Sequence, residues 1–375
     1  MKILVAPNAF KGSLSAFDVA QVIKKNWSIH RPDDEIMMKP LADGGDGFEH
    51  VIAKEKNADW INVLSVDPIG KPFQSGYYRI NNATAVMSLA SLCGIATITP
   101  SPINALEANT EGLGMAIKHA ISSGCKEIII GLGGSASTDF GLGALYQLGL
   151  KCYTFDNQKI IPKGGNLHLI EKFDDTDLKK LIGGIDFYLA VDVKNTLVGK
   201  NGCSHVFAPQ KGATESEVEL LESNIHHIGL LTEKILNKEV IQLEGSGAAG
   251  GTAAGFYSFL NAHIMNGSEF VMELLDIHDS IEKNDLIITT EGKFDQQSLE
   301  GKLPYQIAQL GKKYNKPVIA FVGSSDINSN DPKNPFYCIF SINNEFTSID
   351  TAIKNTEKNL SECIQQFTKI LSLDK

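Results

Sequence analysis

The stretch that most constrains this chain is an apolar run followed at once by glycines and hydroxyl residues. Residues 128–130 are three isoleucines, which predict a buried strand. Residues 131–137 then read Gly-Leu-Gly-Gly-Ser-Ala-Ser, with Asp139 shortly after. Glycines let the backbone turn sharply and be approached closely, and free N–H groups at the start of the following helix would favour an anion. The stretch predicts a phosphate-handling site, with tight strand–helix packing as the alternative.

The order of predicted elements indicates an α/β protein. Strand, loop and helix alternate near the amino terminus and again from Asp285 onwards, as in a parallel sheet, whereas an antiparallel hairpin follows Trp60. We expect a Rossmann-like parallel-sheet domain formed by both termini, residues 1–72 and 281–375. Residues 73–280 would form an inserted second α/β domain containing a mixed sheet. Sites are expected in the cleft between the domains, at the carboxyl ends of strands.

Composition narrows the classes of partner. The 375 residues carry a formal net charge of −10, and the pI is near 5.4. This charge argues against nucleic acid or an anionic membrane as the main partner. No apolar stretch is long enough to span a membrane, and the six cysteines form no Cys-x-x-Cys motif. We therefore expect a cytoplasmic protein that acts on a small molecule.

Further loops share a pattern in which glycine lies beside a carboxylate or a lysine just after a predicted strand. Carboxylates can hold Mg²⁺ or take a proton, and lysines and N–H groups can hold phosphate oxygens. Together these groups are the parts needed for phosphoryl transfer. The loops are Lys11-Gly12-Ser13, Asp43-Gly44-Gly45-Asp46, Gly133 to Asp139, Asp192 with Asn195, Gln210-Lys211-Gly212, Gly245 to Gly251, and Glu291 to Asp295 with Lys302.

Each of these loops also has a purely structural explanation. Asp43 and Asp46 could cap a helix, lone lysines are usually solvated, and glycines allow close packing. Residues 131–136 and 245–250 also match the glycine pattern of dinucleotide sites, and Asp156 lies about where a ribose-binding acid belongs. A dinucleotide-dependent oxidoreductase therefore stays an alternative.

Taken together and in order, the motifs resemble the bacterial type I glycerate kinases across essentially the whole chain. The resemblance implies transfer of the ATP γ-phosphoryl group to D-glycerate with Mg²⁺, usually giving 2-phosphoglycerate. It also implies a two-domain architecture with the active site between the domains. The motifs are Ala6 to Leu14, Leu41 to Gly47, Gly131 to Gly143, Asp192 to Asn195, Phe207 to Ala213, Gly245 to Gly251 and Ile288 to Asp295.

The sequence departs from the family pattern at several positions. The family typically has Asp where Asn8 stands, Glu where Ser88 stands and Asn where Thr138 stands, and its Arg/Lys-Asn/Asp-Pro-Leu element begins here at Ile103. If Ser88 and Ile103 line the acid-binding side, a kinase of another small hydroxy acid or sugar acid stays an alternative. A metabolite-binding regulator is a further one, although no DNA-binding module is visible.

With this resemblance, we assign roles to individual residues as hypotheses. Asp192 or Asp139 would orient or deprotonate the attacking hydroxyl, and Lys11 would hold phosphate or the glycerate carboxylate. Replacing Asp139 by Asn should cut turnover far more than stability. Whether the protein forms a homodimer is left open. The expected magnesium ligands are Asp43, Asp46 and Asp295. The expected ATP-binding residues are Gly133, Gly134, Ser135, Ser137, Lys211, Gly247, Glu291 and Lys302.

Overall fold

The chain folds into two compact units. The first, here called the terminal unit, comprises Met1–Asp43 and Ser268–Lys375, and the second, the inserted unit, comprises Gly44–Gly267. A parallel sheet built from both termini and a mixed sheet in the insertion confirm the predicted fold class. The computed structural model describes residues 1–45, 47–294, 302–327, 331, 334–345 and 347–373.

Strands and helices alternate along most of the chain. In chain order, the strands of the described residues are β1 (Lys2–Val5), β2 (Glu35–Met38), β3 (Asp59–Val66), β4 (Pro72–Ile80), β5 (Thr84–Ser88), β6 (Glu127–Gly131), β7 (Lys151–Tyr153), β8 (Lys159–Ile160), β9 (Lys172–Asp174), β10 (Asp186–Val191), β11 (His263–Asn266), β12 (Leu286–Phe294), β13 (Val318–Ser325) and β14 (Cys338–Ser341). The helices are α1 (Ala16–His30), α2 (Phe48–Glu55), α3 (Leu89–Cys93), α4 (Pro102–Glu107), α5 (Glu111–Ser122), α6 (Leu142–Gln147), α7 (Thr176–Ile182), α8 (Cys203–Phe207), α9 (Glu215–Leu236), α10 (Ala248–Leu260), α11 (Gly267–Leu274), α12 (Ile277–Lys283), α13 (Leu303–Lys313), α14 (Ile349–Lys354) and α15 (Thr356–Leu371).

The terminal unit is built on a parallel sheet with the strand order β14-β13-β12-β1-β2. Apolar residues of β1, β12 and β13 are buried beneath α1 and α15, which pack against each other. Helix α1 begins where the Ser15 side chain accepts a hydrogen bond from the Asp18 N–H, so the serine satisfies an otherwise unpaired donor. Because β1 and β12 are neighbouring parallel strands, their carboxyl ends lie side by side at one edge of the sheet.

The inserted unit is built on a mixed sheet with the order β11-β10-β6-β5-β4-β3. Strands β11, β10, β6 and β5 are parallel, and β4 and β3 continue the sheet antiparallel. Strand β6 is a central strand and is buried because its isoleucines are covered on both faces. A separate antiparallel sheet has the order β8-β7-β9. This unit has its own hydrophobic core, distinct from that of the terminal unit.

The boundaries of the units differ from those expected at residues 72/73 and 280/281. Helix α2 packs against β4 and β5, and β3 pairs with β4 along its whole length, so residues 44–72 belong to the inserted unit. At the other end, α12 contacts β1 and α13, so it belongs to the terminal unit. The strand–helix rhythm identifies elements, but it does not identify the sheet that a helix covers.

Two further predictions can be compared with the fold. No helix in the described ranges combines the length and the apolar character needed to cross a bilayer. All of the cysteines are free thiols, namely Cys93, Cys125, Cys152, Cys203, Cys338 and Cys363.

Candidate active site

The carboxyl ends of β6 and β10 bring several of the predicted residues together in the inserted unit. Gly131, the last residue of β6, pairs with Ser88 of β5 on one side and with Ala190 of β10 on the other. The 133–137 loop therefore begins at the centre of the sheet edge. Asp192 follows β10 immediately and is exposed. This edge matches the expected place for a site in a parallel sheet.

Backbone hydrogen bonds hold the 133–137 loop in place. The Gly133 N–H donates to the Gly44 carbonyl at 3.1 Å. On the other side, Gly134 accepts from the Ile95 N–H at 2.9 Å, and the Ala136 N–H donates to Cys93 at 3.1 Å. A Cβ atom at Gly133 would lie 2.4 Å from the Gly45 Cα, so only glycine fits there. These contacts hold the backbone of the 133–137 loop in one conformation.

A second glycine-rich loop, residues 245–251, packs directly on the first. The Phe140 N–H donates to the Gly250 carbonyl at 3.1 Å, and a Cβ atom at Gly250 would lie 2.2 Å from the Ser137 carbonyl oxygen. Gly247 is equally tight, because its Cβ atom would lie 2.2 Å from the Thr196 carbonyl oxygen. The contacts of Gly247 are therefore with the segment that follows Asp192, and its ATP-binding role stays a prediction.

Lys211 lies against the 133–137 loop and is only 3% exposed. Its ammonium group donates to the Ser135 hydroxyl at 3.0 Å and to the Ser137 carbonyl. Burial lowers the pKa of Lys211 to about 8, although the nearby Cys203 and Asp139 act in the opposite direction. The sequence associated Lys211 with the ligand, whereas the structure shows that its direct contacts are to the loop.

Several polar groups around this loop are left without a protein partner. Within the described chain, the N–H groups of Gly134 and Ser135 have no acceptor. The buried hydroxyls of Ser137, Thr138 and Ser246 also have none. Gly134 is exposed, but the three hydroxyls are buried, and buried polar groups are normally satisfied, so these hydroxyls point to a ligand. Donors beside a buried cation suit an anion, such as a phosphate or a carboxylate.

Asp139 is fully buried and is occupied by its own surroundings. One carboxylate oxygen accepts from the Thr110 N–H and hydroxyl, both at 2.8 Å, and from the Gly143 N–H at 3.1 Å. The other accepts from the Gly141 N–H at 3.3 Å. The start of α6 is therefore filled by Asp139, and the expectation of an anion at that helix start is wrong. These bonds favour a structural role for Asp139.

In the described part of the terminal unit, contacts join the segment that follows β1 to β12. Thr290 donates from its hydroxyl to the Asn8 carbonyl at 2.6 Å, and the Lys11 amide nitrogen lies 4.0 Å from where a Cβ atom of Gly292 would be. Glu291 was expected in a loop but lies within β12, which continues because it pairs with β13 as far as Phe294.

An ion pair links two of the predicted ATP-binding residues in the terminal unit. The Lys302 ammonium lies 3.7 Å from a Glu291 carboxylate oxygen, and Lys302 immediately precedes α13. The sequence placed these two residues in one site because both lie beside glycines. The structure brings Glu291 and Lys302 together. Lys11 is exposed and lies in the segment that follows β1.

The predicted magnesium ligands are only partly described. Asp43 is half-buried and directly precedes Gly44, whereas Asp46 and Asp295 lie outside the described residues. Among the residues that are described, no group of three or more His, Cys, Asp or Glu side chains could hold a metal ion. The magnesium assignment stays a prediction.

A cavity of about 380 Å³ lies beside β13 and β14 of the terminal unit. Ser324, Phe336, Tyr337 and Ser341 contribute to its walls. Its volume suits a small molecule. Among the residues predicted from the sequence, none that the structure describes lines this cavity.

The topology removes the main support for a dinucleotide site. Asp156 follows β7, and β7 belongs to the small antiparallel sheet, whereas the dinucleotide fold needs a parallel strand next to β6. Helix α6 also begins only at Leu142, well beyond the glycines of the 133–137 loop. Residues 131–136 therefore match the glycine pattern of dinucleotide sites in sequence, but the surrounding strands and helix do not form the dinucleotide fold.

The 133–137 and 245–251 loops, with Lys211 and Asp139, are here called the loop cluster. Two residues that lie beside it were not singled out from the sequence. Thr110 donates to Asp139 and also accepts from the Ala144 N–H at 2.9 Å, so it joins α5 to α6. Its place just before a predicted helix was the available signal. Cys203 lies near Lys211, is fully buried, and has its thiol pKa raised to about 12 by burial. Nothing in its sequence surroundings indicates that proximity.

The fold defines a two-unit α/β protein with glycine-rich loops at the edge of the mixed sheet of its inserted unit. The model of the glycerate kinase family matches residues 3–372, and the chain belongs to that family. It is 34% identical to the glycerate 2-kinase of Escherichia coli K12, covering 100% of this chain and 98% of that protein. It is also 34% identical to the glycerate kinase of Bacillus subtilis 168, over 88% of this chain and 87% of that protein.

A solved structure agrees with these relatives. A crystal structure from Salmonella typhimurium LT2, whose description names glycerate kinase 2, superposes with a TM-score of 0.85 at 32% identity. It covers 100% of this chain and 99% of that one. The family resemblance carried by the sequence motifs is confirmed.

Proposed function

We propose that this protein is a glycerate kinase that transfers the γ-phosphoryl group of ATP to a hydroxyl group of D-glycerate. Family membership across residues 3–372 supports the kinase class and the acid substrate. The observation that carries the proposal is the loop cluster of the inserted unit, where unpaired donors of Gly134 and Ser135 adjoin a buried lysine. Such a cluster suits the anionic groups that both substrates carry.

The 133–137 loop supplies the anion-binding step in this proposal. Its backbone N–H groups and the Ser135 hydroxyl would bind a phosphate or the glycerate carboxylate. Because the loop is held by backbone bonds to Gly44, Cys93 and Ile95, its donors need no rearrangement when the anion arrives. Such preorganised donors stabilise charge that develops during phosphoryl transfer.

Asp192 is the better of the two proposed carboxylates for the attacking hydroxyl. It is exposed at the carboxyl end of β10, whereas Asp139 is fully buried and hydrogen-bonded to Thr110 and to the start of α6. Orientation of the hydroxyl matters more than a strong base, because the transition state of phosphoryl transfer is loose.

The terminal unit carries three of the remaining proposed residues. Lys11, Glu291 and Lys302 lie at or near the ends of its strands and would contact ATP. Asp43, Asp46 and Asp295 would hold Mg²⁺, since carboxylate oxygens are the ligands that this ion prefers. When bound, Mg²⁺ neutralises part of the charge on the phosphates.

The proposal is tested by ADP release from ATP in the presence of D-glycerate, with a panel of other small hydroxy acids and with or without Mg²⁺. We expect release that requires D-glycerate and stops when EDTA removes the metal. Release with a different acid alone would favour the alternative kinase, for which Ser88 and Ile103 were the sequence signals. No acid-dependent release at all would reject the kinase.

The phosphorylated position is a finer part of the proposal. We propose the 2-hydroxyl in preference to the 3-hydroxyl, because a relative that covers this whole chain is a glycerate 2-kinase. Phosphorus NMR of the product separates the two isomers directly, and a 3-phosphoglycerate spectrum would overturn this choice. A cytoplasmic location, consistent with six free cysteines, is proposed as well.

A further inference from the structure

The buried ammonium group of Lys211 has a role that the proposed function does not yet explain. Lys211 is only 3% exposed, and its ammonium group donates to the Ser135 hydroxyl and to the Ser137 carbonyl of the loop. No carboxylate of the described residues lies within hydrogen-bonding distance of it. Burying a charged lysine without a paired carboxylate lowers the free energy of unfolding, so we expect this charge to have a function.

The two bonds of Lys211 determine what Ser135 can do. An ammonium group has three donors and no acceptor, so the Ser135 oxygen must accept the 3.0 Å bond from Lys211. The Ser135 proton is then left to be donated elsewhere. Within the described chain no acceptor receives it. Ser135 is 8% exposed and neighbours the unpaired N–H groups of the loop.

We propose that Lys211 is a positioning residue that fixes the Ser135 hydroxyl as a hydrogen-bond donor to the anionic group of a substrate. This inference rests on the proposed function and concerns the same loop. The bond from Lys211 to the Ser137 carbonyl holds the other end of the loop, so one side chain sets both the shape of the loop and the direction of its serine proton.

The arrangement makes anion binding depend on pH. The pKa of Lys211 is lowered to about 8 by burial. Below that pH the ammonium donates to Ser135, and the serine proton is available to the anion. Above it, the neutral amine can accept the serine proton, so the donor is withdrawn and binding weakens as the pH rises.

The other titratable groups around Lys211 do not account for this pH dependence. Asp139 faces it from the loop, and Cys203 faces it from α8. The thiol pKa of Cys203 is raised to about 12, so it stays protonated. Helix α4 also packs against the turn that carries Lys211, but its Glu107 is paired with Lys163.

The kinetic test compares the wild type with Ser135→Ala, Ser135→Thr and Lys211→Met between pH 6.5 and 10, varying D-glycerate and ATP separately. In the wild type, KM for one substrate should rise above pH 8, approaching about tenfold for each further unit. Ser135→Ala should raise that KM about 10- to 100-fold at pH 7 and remove the inflection. Ser135→Thr keeps the hydroxyl and should keep the inflection.

Lys211→Met should likewise give a raised KM without an inflection. The double variant should be little worse than either single one, because both remove the same donor. Lys118→Met changes an exposed lysine on α5 of the same unit; it is the matched control and should leave the wild-type profile unchanged. An inflection that survives in Ser135→Ala would show that Lys211 does not act through Ser135.

A binding measurement separates this inference from the proposed kinase activity. Isothermal titration calorimetry with inorganic phosphate at pH 7 and pH 9.5 needs no turnover. Binding by the wild type that weakens at pH 9.5, and that is lost in Ser135→Ala at both pH values, supports the inference even if no acid-dependent ADP release is found. Equal phosphate affinity in the wild type and Ser135→Ala at pH 7 overturns it, even if the kinase is active.

Discussion

At the scale of single residues, identical carboxylates have different roles because their surroundings differ. Asp139 is buried among donors from Thr110, Gly141 and Gly143, whereas Asp192 is exposed at a strand end. A carboxylate that already accepts several bonds is poorly placed to take a proton from a substrate. The sequence presented both as candidates, and only their environments distinguish them.

Asp139→Asn is therefore expected to lower stability as well as turnover. The amide cannot accept every bond that the carboxylate accepts, and its NH₂ group would face donors, so we expect a loss of about 2–4 kcal/mol in the free energy of unfolding. Urea unfolding measures this loss. Asp156→Asn, in an exposed turn, is the control and should change stability by less than about 0.5 kcal/mol. An Asp139→Asn protein with wild-type stability and little activity would restore the catalytic role.

Asp192→Asn should behave in the opposite way. The side chain is exposed, so we expect unchanged stability, but kcat should fall about 100-fold or more if the carboxylate orients or deprotonates the hydroxyl. Steady-state kinetics with D-glycerate measure the effect. Asp186→Asn changes an exposed aspartate at the other end of β10 and should leave kcat intact. Similar kcat values for the two variants would contradict the role of Asp192.

At the scale of elements, the glycines at the sheet edge are explained by close packing of four chain segments. Gly133 lies against Gly45, Gly247 against Thr196 and Gly250 against Ser137. Small residues therefore bring these segments together. Unpaired polar groups lie in two of them, at Gly134, Ser135 and Ser137 of the 133–137 loop and at Ser246 of the 245–251 loop. The packing explanation of these motifs is observed at this edge, and the binding explanation stays a prediction.

Gly250→Ala should be strongly destabilising and should displace the 133–137 loop. Gly250 has a φ of +64°, and its added Cβ atom would lie 2.2 Å from the Ser137 carbonyl oxygen. Gly184→Ala is the matched control, because Gly184 has a φ of +75° but nothing within 4 Å of the added atom. The control should lose about 1 kcal/mol from backbone strain alone, and Gly250→Ala about 3 kcal/mol or more, by urea unfolding. Equal losses would mean that the loops can separate freely.

At the scale of the whole molecule, each unit has a hydrophobic core of its own. The core of the inserted unit draws its buried residues from Val63 to Ala262, and that of the terminal unit from the two ends of the chain. The inserted unit is therefore expected to fold without the terminal unit, provided that it is cut at its observed boundaries.

A fragment of residues 44–267 should unfold cooperatively, whereas a fragment of residues 73–280 should not. The second fragment lacks β3 and α2, which leaves β4 as an uncovered edge, and it carries α12, whose partners β1 and α13 are absent. Circular dichroism and urea unfolding of the two fragments provide the measurement. Cooperative unfolding of 73–280 alone would favour the boundaries expected from the sequence.

The sequence by itself determined the fold class, the family and the positions of the glycine-rich loops. These are encoded locally, because a buried strand such as residues 128–130, a run of glycines and a strand–helix rhythm each leave a pattern in neighbouring residues. Lys211 beside a glycine could be recognised in the same way.

Only the tertiary structure decided what the individual side chains do. Burial and hydrogen-bond partners depend on residues distant in the chain, as when Thr110 meets Asp139 or Lys211 meets Ser135. The boundaries of the units followed from which sheet α2 and α12 cover. A chain pattern shows that a residue can bind or cap, but solvent exclusion and partner geometry, which set pKa and donor direction, arise only when the elements pack.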